Sequence, residues 1–466
     1  MVNIRELALE PERLASGHRM CPGCGIPIAT RMILKATKNP IVVANATGCL
    51  EVSTTIYPYT AWRVPWIHNA FENAAATISG VEAAFKALKR KGKITKEIKF
   101  IAFGGDGGTY DIGLQSLSGA LERGHDFVYV CVDNEGYMNC LSLDTTIITP
   151  NGSRKITEIK VGDLIYAFNQ NTGDLVIKTC SGIFDNGIKE VYELKTVKHS
   201  IKATSNHPFL VIEKNKTIAP EGLIWKTLEQ LQSGDQVIVF KDKKTKTKKE
   251  KSDCLLKNNS HFKSEKIISI TLIKEEPTLD LRVEGEHNFI ADGIVVHNTG
   301  IQRSSSTPYG AWTNTSQVGK AHQGKEQFRK DLTAIIAAHH INYVAQASVH
   351  NYADLIRKAE KAFNTKGPSF INVLCPCVPG WKIKSNQTIK IAKLAVETCF
   401  WPLFEIENDV WILNYDPGES KKPMVEWLKL QGRFSHLFKP ENAGIIEQIQ
   451  KNTDQRWEQV KKNCNK

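Results

Sequence analysis

The sequence predicts an α/β domain, a mostly parallel sheet flanked by helices, interrupted by an all-β domain. Three observations carry this. Residues 100–134 read FIAFGGDGG, DIGLQSLSGALERG and HDFVYVCVDN, an apolar strand, a helix and a second apolar strand. After Cys140 the text turns to short β-branched runs cut by Asn151-Gly152, Gly162-Asp163, Gly173-Asp174, Asn186-Gly187 and Gly234-Asp235. Near Thr299 the α/β style returns, with Leu355, Ala359 and Ala362 at helical spacing and an apolar strand at SFINVLC. A chain of 466 residues, 41% hydrophobic and 24% charged, is longer than one core comfortably holds and excludes a disordered polymer.

Taken in chain order, the start MVNIRELALEPE has neither the basic front nor the apolar core of a signal peptide, and no apolar run reaches bilayer length. A cytoplasmic protein without a membrane segment is expected, and its eleven cysteines are then metal ligands or nucleophiles rather than disulfides. Ile78, Val81, Phe85 and Leu88 place one face of a helix against the sheet, and Leu114, Leu117 and Leu121 do the same for the helix of the βαβ unit. Within the β region, VGDLIYAF (161–168) and SGDQVIVF (233–240) read as two copies of one turn-plus-strand unit. The interrupting segment has a net charge of only +2, so the flanks carry +10. The lysine run 241–251 lacks interleaved aromatics to stack bases and is expected to be a solvated loop, with no nucleic-acid partner.

Chemistry concentrates at the strand ends. Gly105, Asp106 and Gly107 close the first strand of the βαβ unit, and Asn134 follows the second. In a parallel sheet ligands gather beyond the carboxyl ends, so Asp106 and Asn134 face one crevice and can give oxygens to a Mg²⁺ bridging a diphosphate. The glycines let the backbone approach the phosphates. Cys21 and Cys24 form the turn CPGCG, and Cys49 and Cys377 lie in ATGC and CPC. Four thiolates suit a [4Fe-4S] cluster or zinc about equally; the neighbouring diphosphate signature favours iron, because a redox cluster gives such an enzyme an outlet for electrons. Cys375 competes with Cys377 for the fourth place.

GHRMCPGCG, NATGC, WIHNAFENAAAT, AFGGDGGTYDIGLQSLSGALERGHDF and DNEGYMN, joined to TGIQRSSSTPYGAWT, resemble the β subunit of pyruvate:ferredoxin oxidoreductase (pyruvate synthase) over 1–139 and 299 to about 390. The resemblance implies thiamine diphosphate, with Mg²⁺ on Asp106, Asn134 and the carbonyl of Gly136, and Asn139 beside the thiazolium. It implies a [4Fe-4S] cluster on Cys21, Cys24, Cys49 and Cys377. It also implies partners: an α subunit that supplies the carboxylate activating the cofactor, γ and δ subunits, ferredoxin, pyruvate and coenzyme A. A branched-chain, indolyl or dicarboxylic 2-oxoacid is the rival substrate. Residues 391–466 are expected to form a helical C-terminal extension.

The host text stops at Asn139 and resumes at Thr299, so 140–298 divides one active-site loop. Its ends carry self-removing chemistry: Cys140 opens it, His297-Asn298 closes it and the hydroxyl of Thr299 follows. CLSLDTTIITPNG, GDLIYAF, TSNHPFLV and LRVEGEHNFIADGIVVHN resemble the splicing blocks of inteins, which implies a pseudo-twofold β horseshoe without an endonuclease domain. Cys140 can convert the preceding amide to a thioester, Thr299 can take over the acyl group, and Asn298 can cyclise to release the segment. Thr204 and His207 would strain and protonate the first amide, His297 would assist the cyclisation, and Asp280 and His287 resemble the block coupling the two steps. The competing class is a zinc-binding protein with an autoprocessing domain.

Overall fold

In the computed structural model the described residues are 4–55, 59–136, 141–205, 207–213, 222–241, 261–283, 285–286, 288–297, 302–313, 315–316, 318–319 and 322–465. The chain divides into two compact units, 1–137 with 301–466, and 138–300.

The first unit is built on an eight-stranded sheet in the order Trp66–Asn69, Ile41–Ala46, Lys99–Gly105, Val128–Asp133, Ser369–Leu374, Tyr343–Ser348, Phe404–Glu407, Val410–Leu413. The first six are parallel and the last two antiparallel. Its centre joins the two halves of the host sequence: Val128–Asp133 pairs with Ser369–Leu374 from Val128↔Ser369 to Asp133↔Leu374. Every residue of these two strands is buried, so their apolar runs reflect helices covering both faces. One face packs Ile33, Leu355, Ile356 and Phe363 against Val43, Ile101, Val130 and Ile371. The other packs Ile78, Leu117, Leu121 and Trp457 against Ala102, Tyr129, Val344 and Phe370.

Helix Ala74–Arg90 lies on this second face as its periodicity predicts through Ile78, with Val81 and Phe85 partly buried, but Leu88 is exposed. The helix runs past the sheet there, and a buried carboxylate on it, Glu82, pairs with Lys86 and with His125, whose Nδ1 lies 3.0 Å away. The C-terminal segment also departs from the helical expectation. Residues 404–413 form a hairpin extending the sheet, closed by Asn408 and Asp409, both in the left-handed region at φ 48° and 67°. FEIE-ND-VWIL is a two-residue hairpin signal, since both turn positions need positive φ and Asn and Asp tolerate it. Helix Ala443–Cys464 then returns across the second face through Trp457 and Val460.

The second unit is all β. Two 22-residue strands, Leu175–Thr196 and Phe262–Val283, pair antiparallel from Ile267↔Thr196 to Val283↔Cys180 with four register shifts that bend them. Asn186-Gly187, expected as a turn, lies inside the first of these. The pairing passes from Thr278↔Gly187 to Leu279↔Asp185, so the dipeptide marks a bulge. The two repeats are equivalent in structure. Each follows a 3₁₀ turn, Ile156–Glu158 or Leu228–Gln230, and each turns at a glycine with φ +99° (Gly162) or +96° (Gly234). Gly162 N–H donates to the Cys180 carbonyl and Cys180 N–H to Asp163; Gly234 and Asp235 repeat both bonds with Ile267. The lysine run 242–251 falls outside the described residues.

In the host unit the CPGCG turn is fixed by its glycines. Gly23 has φ +79°, and a Cβ there would run into the carbonyl of Ser385; a Cβ on Gly25 would stand 2.9 Å from Cys375 Cα. Gly23→Ala therefore combines left-handed strain with a backbone clash and should cost about 2 kcal/mol or more. Thermal unfolding of the host unit checks this, as a lowered melting temperature.

Candidate functional site

The parallel order puts the carboxyl ends of four strands at one edge of the host sheet. Ile41–Ala46 is followed there by Cys49, Lys99–Gly105 by Asp106, Val128–Asp133 by Asn134, and Ser369–Leu374 by Cys375 and Cys377. The sheet thus gathers both predicted groups, with the diphosphate signature on its two central strands and the thiols around them.

Asp106 is buried, and its Oδ2 accepts from the Ser306 hydroxyl at 2.9 Å. Burial and the neighbouring Asp133 push its carboxyl well above the ordinary range, against the pull of the Ser304 and Ser306 hydroxyls. A divalent cation at this carboxylate would offset that penalty. At Gly105 a Cβ would meet nothing within 4 Å, which leaves open space for a phosphate to approach the backbone. After Gly107 the chain enters a π-helical turn, Gly107–Asp111, and then helix Leu114–Glu122. The residues present fit a metal-bridged diphosphate.

The 133–136 turn is gripped from several sides. Tyr110 donates to Asp133 Oδ2 at 2.6 Å, and Arg329 lies 3.5 Å from the same oxygen. Asn134 Oδ1 accepts from Gly136 N–H at 3.2 Å, and the Asn134 carbonyl accepts from Trp381 Nε1 at 2.8 Å. Glu135 has φ +62° and is wholly buried. Its carbonyl accepts from Thr307 Oγ1 at 2.7 Å, and its carboxylate pairs with Arg433 Nη2 at 2.5 Å. The buried ammonium of Lys325 donates to the carbonyls of Ser304 (2.9 Å) and Thr307 (2.6 Å), and burial lowers its pKa to about 8. Sequence reading missed Ser306, Thr307, Lys325, Trp381 and Arg433. SSSTP was legible as a hydroxyl-rich loop, but nothing local links Arg433 to residue 135.

Cys21, Cys24, Cys49 and Cys377 are free of disulfides. Burial raises the thiol pKa of Cys21, Cys24 and Cys377; Cys24 is raised further by Cys49 and Cys21, and Cys377 by Cys49, Cys24 and Cys21. Cys377 Sγ also accepts from Gly380 N–H at 3.4 Å at the start of a helical turn. The thiol pKa of Cys375 is raised well above its ordinary value, first by burial and then by the charges of Cys24, Asp133 and Asp106. Among the described residues no three His, Cys, Asp or Glu side chains converge as one metal ion requires.

In the second unit the strand beginning at Leu141 is held on both sides, Leu141 opposite Ala203 and Leu279. Thr204 follows Ala203 and Asp280 follows Leu279. All of Thr204, His207, Asp280 and His297 are buried. His207 N–H donates to the Thr204 carbonyl at 2.9 Å, and His207 Nδ1 stands 3.8 Å from Asp280 Oδ2. The structure brings these three together and links His207 to Asp280, a pairing the sequence did not indicate. His297 meets the Trp225 ring edge-on at 4.7 Å. Asn139, Cys140, His287, Asn298 and Thr299 lie outside the described residues.

Comparison with known proteins adds the family. Residues 46–157 match the thiamine pyrophosphate enzyme C-terminal binding domain, and residues 147–298 the intein splicing domain. Pyruvate synthase subunit PorB of Thermotoga maritima is 36% identical, covering 98% of this chain and 95% of its own length; that of Methanocaldococcus jannaschii is 35% identical over 96% and 95%. Ketoisovalerate oxidoreductase subunit VorB of Pyrococcus abyssi is 30% identical over 97% and 93%. Among solved structures, the Ssp DnaB mini-intein variant M86 is 29% identical over 34% of this chain and 94% of its own, with a TM-score of 0.29. No helix among the described residues is long and apolar enough to cross a membrane. With a thiamine-binding α/β sheet and relatives matched over nearly their whole length, the chain belongs to the pyruvate synthase subunit PorB family and carries an intein splicing domain within it.

Proposed function

We propose that this chain is the precursor of the diphosphate-binding subunit of a 2-oxoacid:ferredoxin oxidoreductase acting on pyruvate, and that it matures by excising residues 140–298. The observation that carries the reading is the in-register parallel pairing of Val128–Asp133 with Ser369–Leu374, which makes one continuous sheet from the two host halves. The reaction is pyruvate, coenzyme A and oxidised ferredoxin giving acetyl-CoA, CO₂ and reduced ferredoxin, with α, γ and δ subunits completing the assembly. Bound thiamine diphosphate would supply the carbanion chemistry of decarboxylation, and a [4Fe-4S] cluster an outlet for electrons.

The chain's own residues have narrower tasks. Asp106, Asn134 and the Gly136 carbonyl hold Mg²⁺; Ser306 orients Asp106; Gly105 and Gly107 admit the phosphates; Asn139 borders the thiazolium. Cys21, Cys24, Cys49 and Cys377 hold the cluster. In the intein, Cys140 attacks the Asn139 carbonyl while His207, steadied by Asp280, protonates the leaving amide nitrogen and Thr204 holds the turn. Thr299 takes the acyl group from the thioester, Asn298 cyclises with help from His297, and the ester on Thr299 reverts to an amide. His287 belongs to the block that couples these steps. The 30% identity to the ketoisovalerate subunit keeps a branched-chain 2-oxoacid as the second reading.

Weighing the products of the full chain is the direct test. Wild-type protein should yield the 159-residue segment 140–298 and a 307-residue ligated host. Cys140→Ala combined with Asn298→Ala should abolish both, and continued ligation would overturn the mechanism. Thr299→Ala should cleave without ligating, whereas Thr299→Ser should still ligate.

The splicing-dead double variant, assembled with its partner subunits, should show no pyruvate-dependent ferredoxin reduction, because the catalytic loop stays divided. Iron analysis tests the cluster. The ligated host should carry about four irons; Cys377→Ser should lose them and Cys375→Ser keep them, while one zinc per chain and no thiamine diphosphate binding would favour the autoprocessing zinc protein.

A further inference from the structure

The segment after residue 390 has no role in the chemistry above, yet it sends one side chain to the centre of the host unit. Arg433 is 1% exposed and Glu135, its partner, 0%. The guanidinium is fixed on every side. Its Nε donates to Gln431 Oε1 at 2.9 Å, its Nη2 to Glu135 Oε2 at 2.5 Å, and its plane lies over Trp381 at 4.1 Å, with Trp427 and Phe434 beyond. Its own backbone is tied to the Trp312 N–H at 2.9 Å. A charge buried this deeply and held this rigidly is costly to build, and its partner is the residue between Asn134 and Gly136.

Glu135 sits in the left-handed region, which a residue with a Cβ adopts only when its surroundings impose it. Three contacts impose it here. The Glu135 N–H donates to Asp133 Oδ1 at 3.1 Å, its carbonyl accepts from Thr307, and its carboxylate is clamped by Arg433. Trp381, on which Arg433 stacks, donates to the Asn134 carbonyl. One guanidinium thus reaches the turn twice, directly through Glu135 and indirectly through Trp381.

We propose that Arg433 is a positioning residue for the diphosphate end of the cofactor, holding the Asn134–Gly136 turn through Glu135 in the conformation that binds the metal-bridged diphosphate. The inference rests on the reading of Asp106, Asn134 and Gly136 as the diphosphate site. Arg433 touches neither cofactor nor substrate in this scheme. Its loss leaves the ligating atoms in place but frees their backbone, so cofactor affinity falls while turnover at saturating cofactor is kept.

The test uses the ligated chain assembled with its partner subunits and stripped of cofactor. Thiamine diphosphate with Mg²⁺ is titrated by calorimetry without 2-oxoacid, and KM for the cofactor and kcat are measured separately. Arg433→Met should raise both Kd and cofactor KM about tenfold or more and leave kcat at saturating cofactor within about twofold. Arg433→Lys, which keeps the charge but loses the planar fork and the stacking, should fall between. Lys358→Met is the structural control: it breaks another buried ion pair, 2.7 Å from Asp354 one turn earlier on the buried face of helix Tyr352–Asn364, and should lower the melting temperature without changing Kd.

An Arg433→Met protein that loses as much melting temperature as Lys358→Met yet binds cofactor with unchanged Kd overturns the proposal. Should that variant not fold, Glu135→Gln with Arg433→Met, neutral at both positions, carries the same expectation. A wild-type assembly that binds no thiamine diphosphate overturns the functional reading and this inference together, whereas tight wild-type binding with an unaffected Arg433→Met overturns this inference alone.

Discussion

The host unit depends on one pairing, strand Val128–Asp133 against Ser369–Leu374. These strands come from opposite sides of the interrupting segment, and their six-residue parallel register makes the sheet continuous. Parallel pairing of strands far apart in sequence brings little local reward, so it is held by what it buries. Both strands are inaccessible on both faces, and the two cores on either side of the sheet draw residues from each half of the host.

That register also aligns the chemistry. Because the first six strands of the sheet are parallel, their carboxyl ends share one edge, where the loops bearing Asp106, Asn134, Cys49 and Cys377 begin. Edge position alone does not fix a loop. The turn after Asp133 is fixed by groups arriving from elsewhere: Thr307 from beyond the insertion, Trp381 from the helical turn after the neighbouring strand and Arg433 from the C-terminal segment, while Ser306 holds the nearby Asp106. The buried carboxylates of Asp106, Asp133 and Glu135 would repel one another if left alone. Arg329 and Arg433 offset two of them, whereas Asp106 accepts from the Ser306 hydroxyl and would gain its countercharge from the proposed Mg²⁺.

The splicing unit solves its folding by duplication. The same 3₁₀ turn, positive-φ glycine and pair of backbone bonds occur twice, once against Cys180 and once against Ile267, and each copy feeds one end of a pair of 22-residue strands. The strands bend at their register shifts, and the short strand at Leu141 is inserted where Ala203 and Leu279 leave room for it. Thr204 and Asp280 therefore come together because the two strands flanking Leu141 end or pass there, and His207 is tied to Thr204 by the turn between them.

The sequence by itself determined the two fold classes, the repeat and the strand-end signatures, because hydrophobic period and turn residues act over a few neighbours. The buried runs at 100–105 and 128–133, the glycines at 162 and 234, and the βαβ spacing that brings Asp106 and Asn134 to one edge were all legible in this way. Less was legible where two local signals competed, as at Asn186-Gly187, a turn dipeptide that long-range pairing turned into a bulge, or at Asn408-Asp409, a hairpin hidden in a segment that otherwise reads as helical. Only the tertiary structure decided that Arg433 meets Glu135, that Ser306 meets Asp106 and that His207 faces Asp280. Those partners lie roughly 70 to 300 positions apart, and a buried charge chooses its counter-charge by where the packed chain leaves it, which no local pattern of residues encodes.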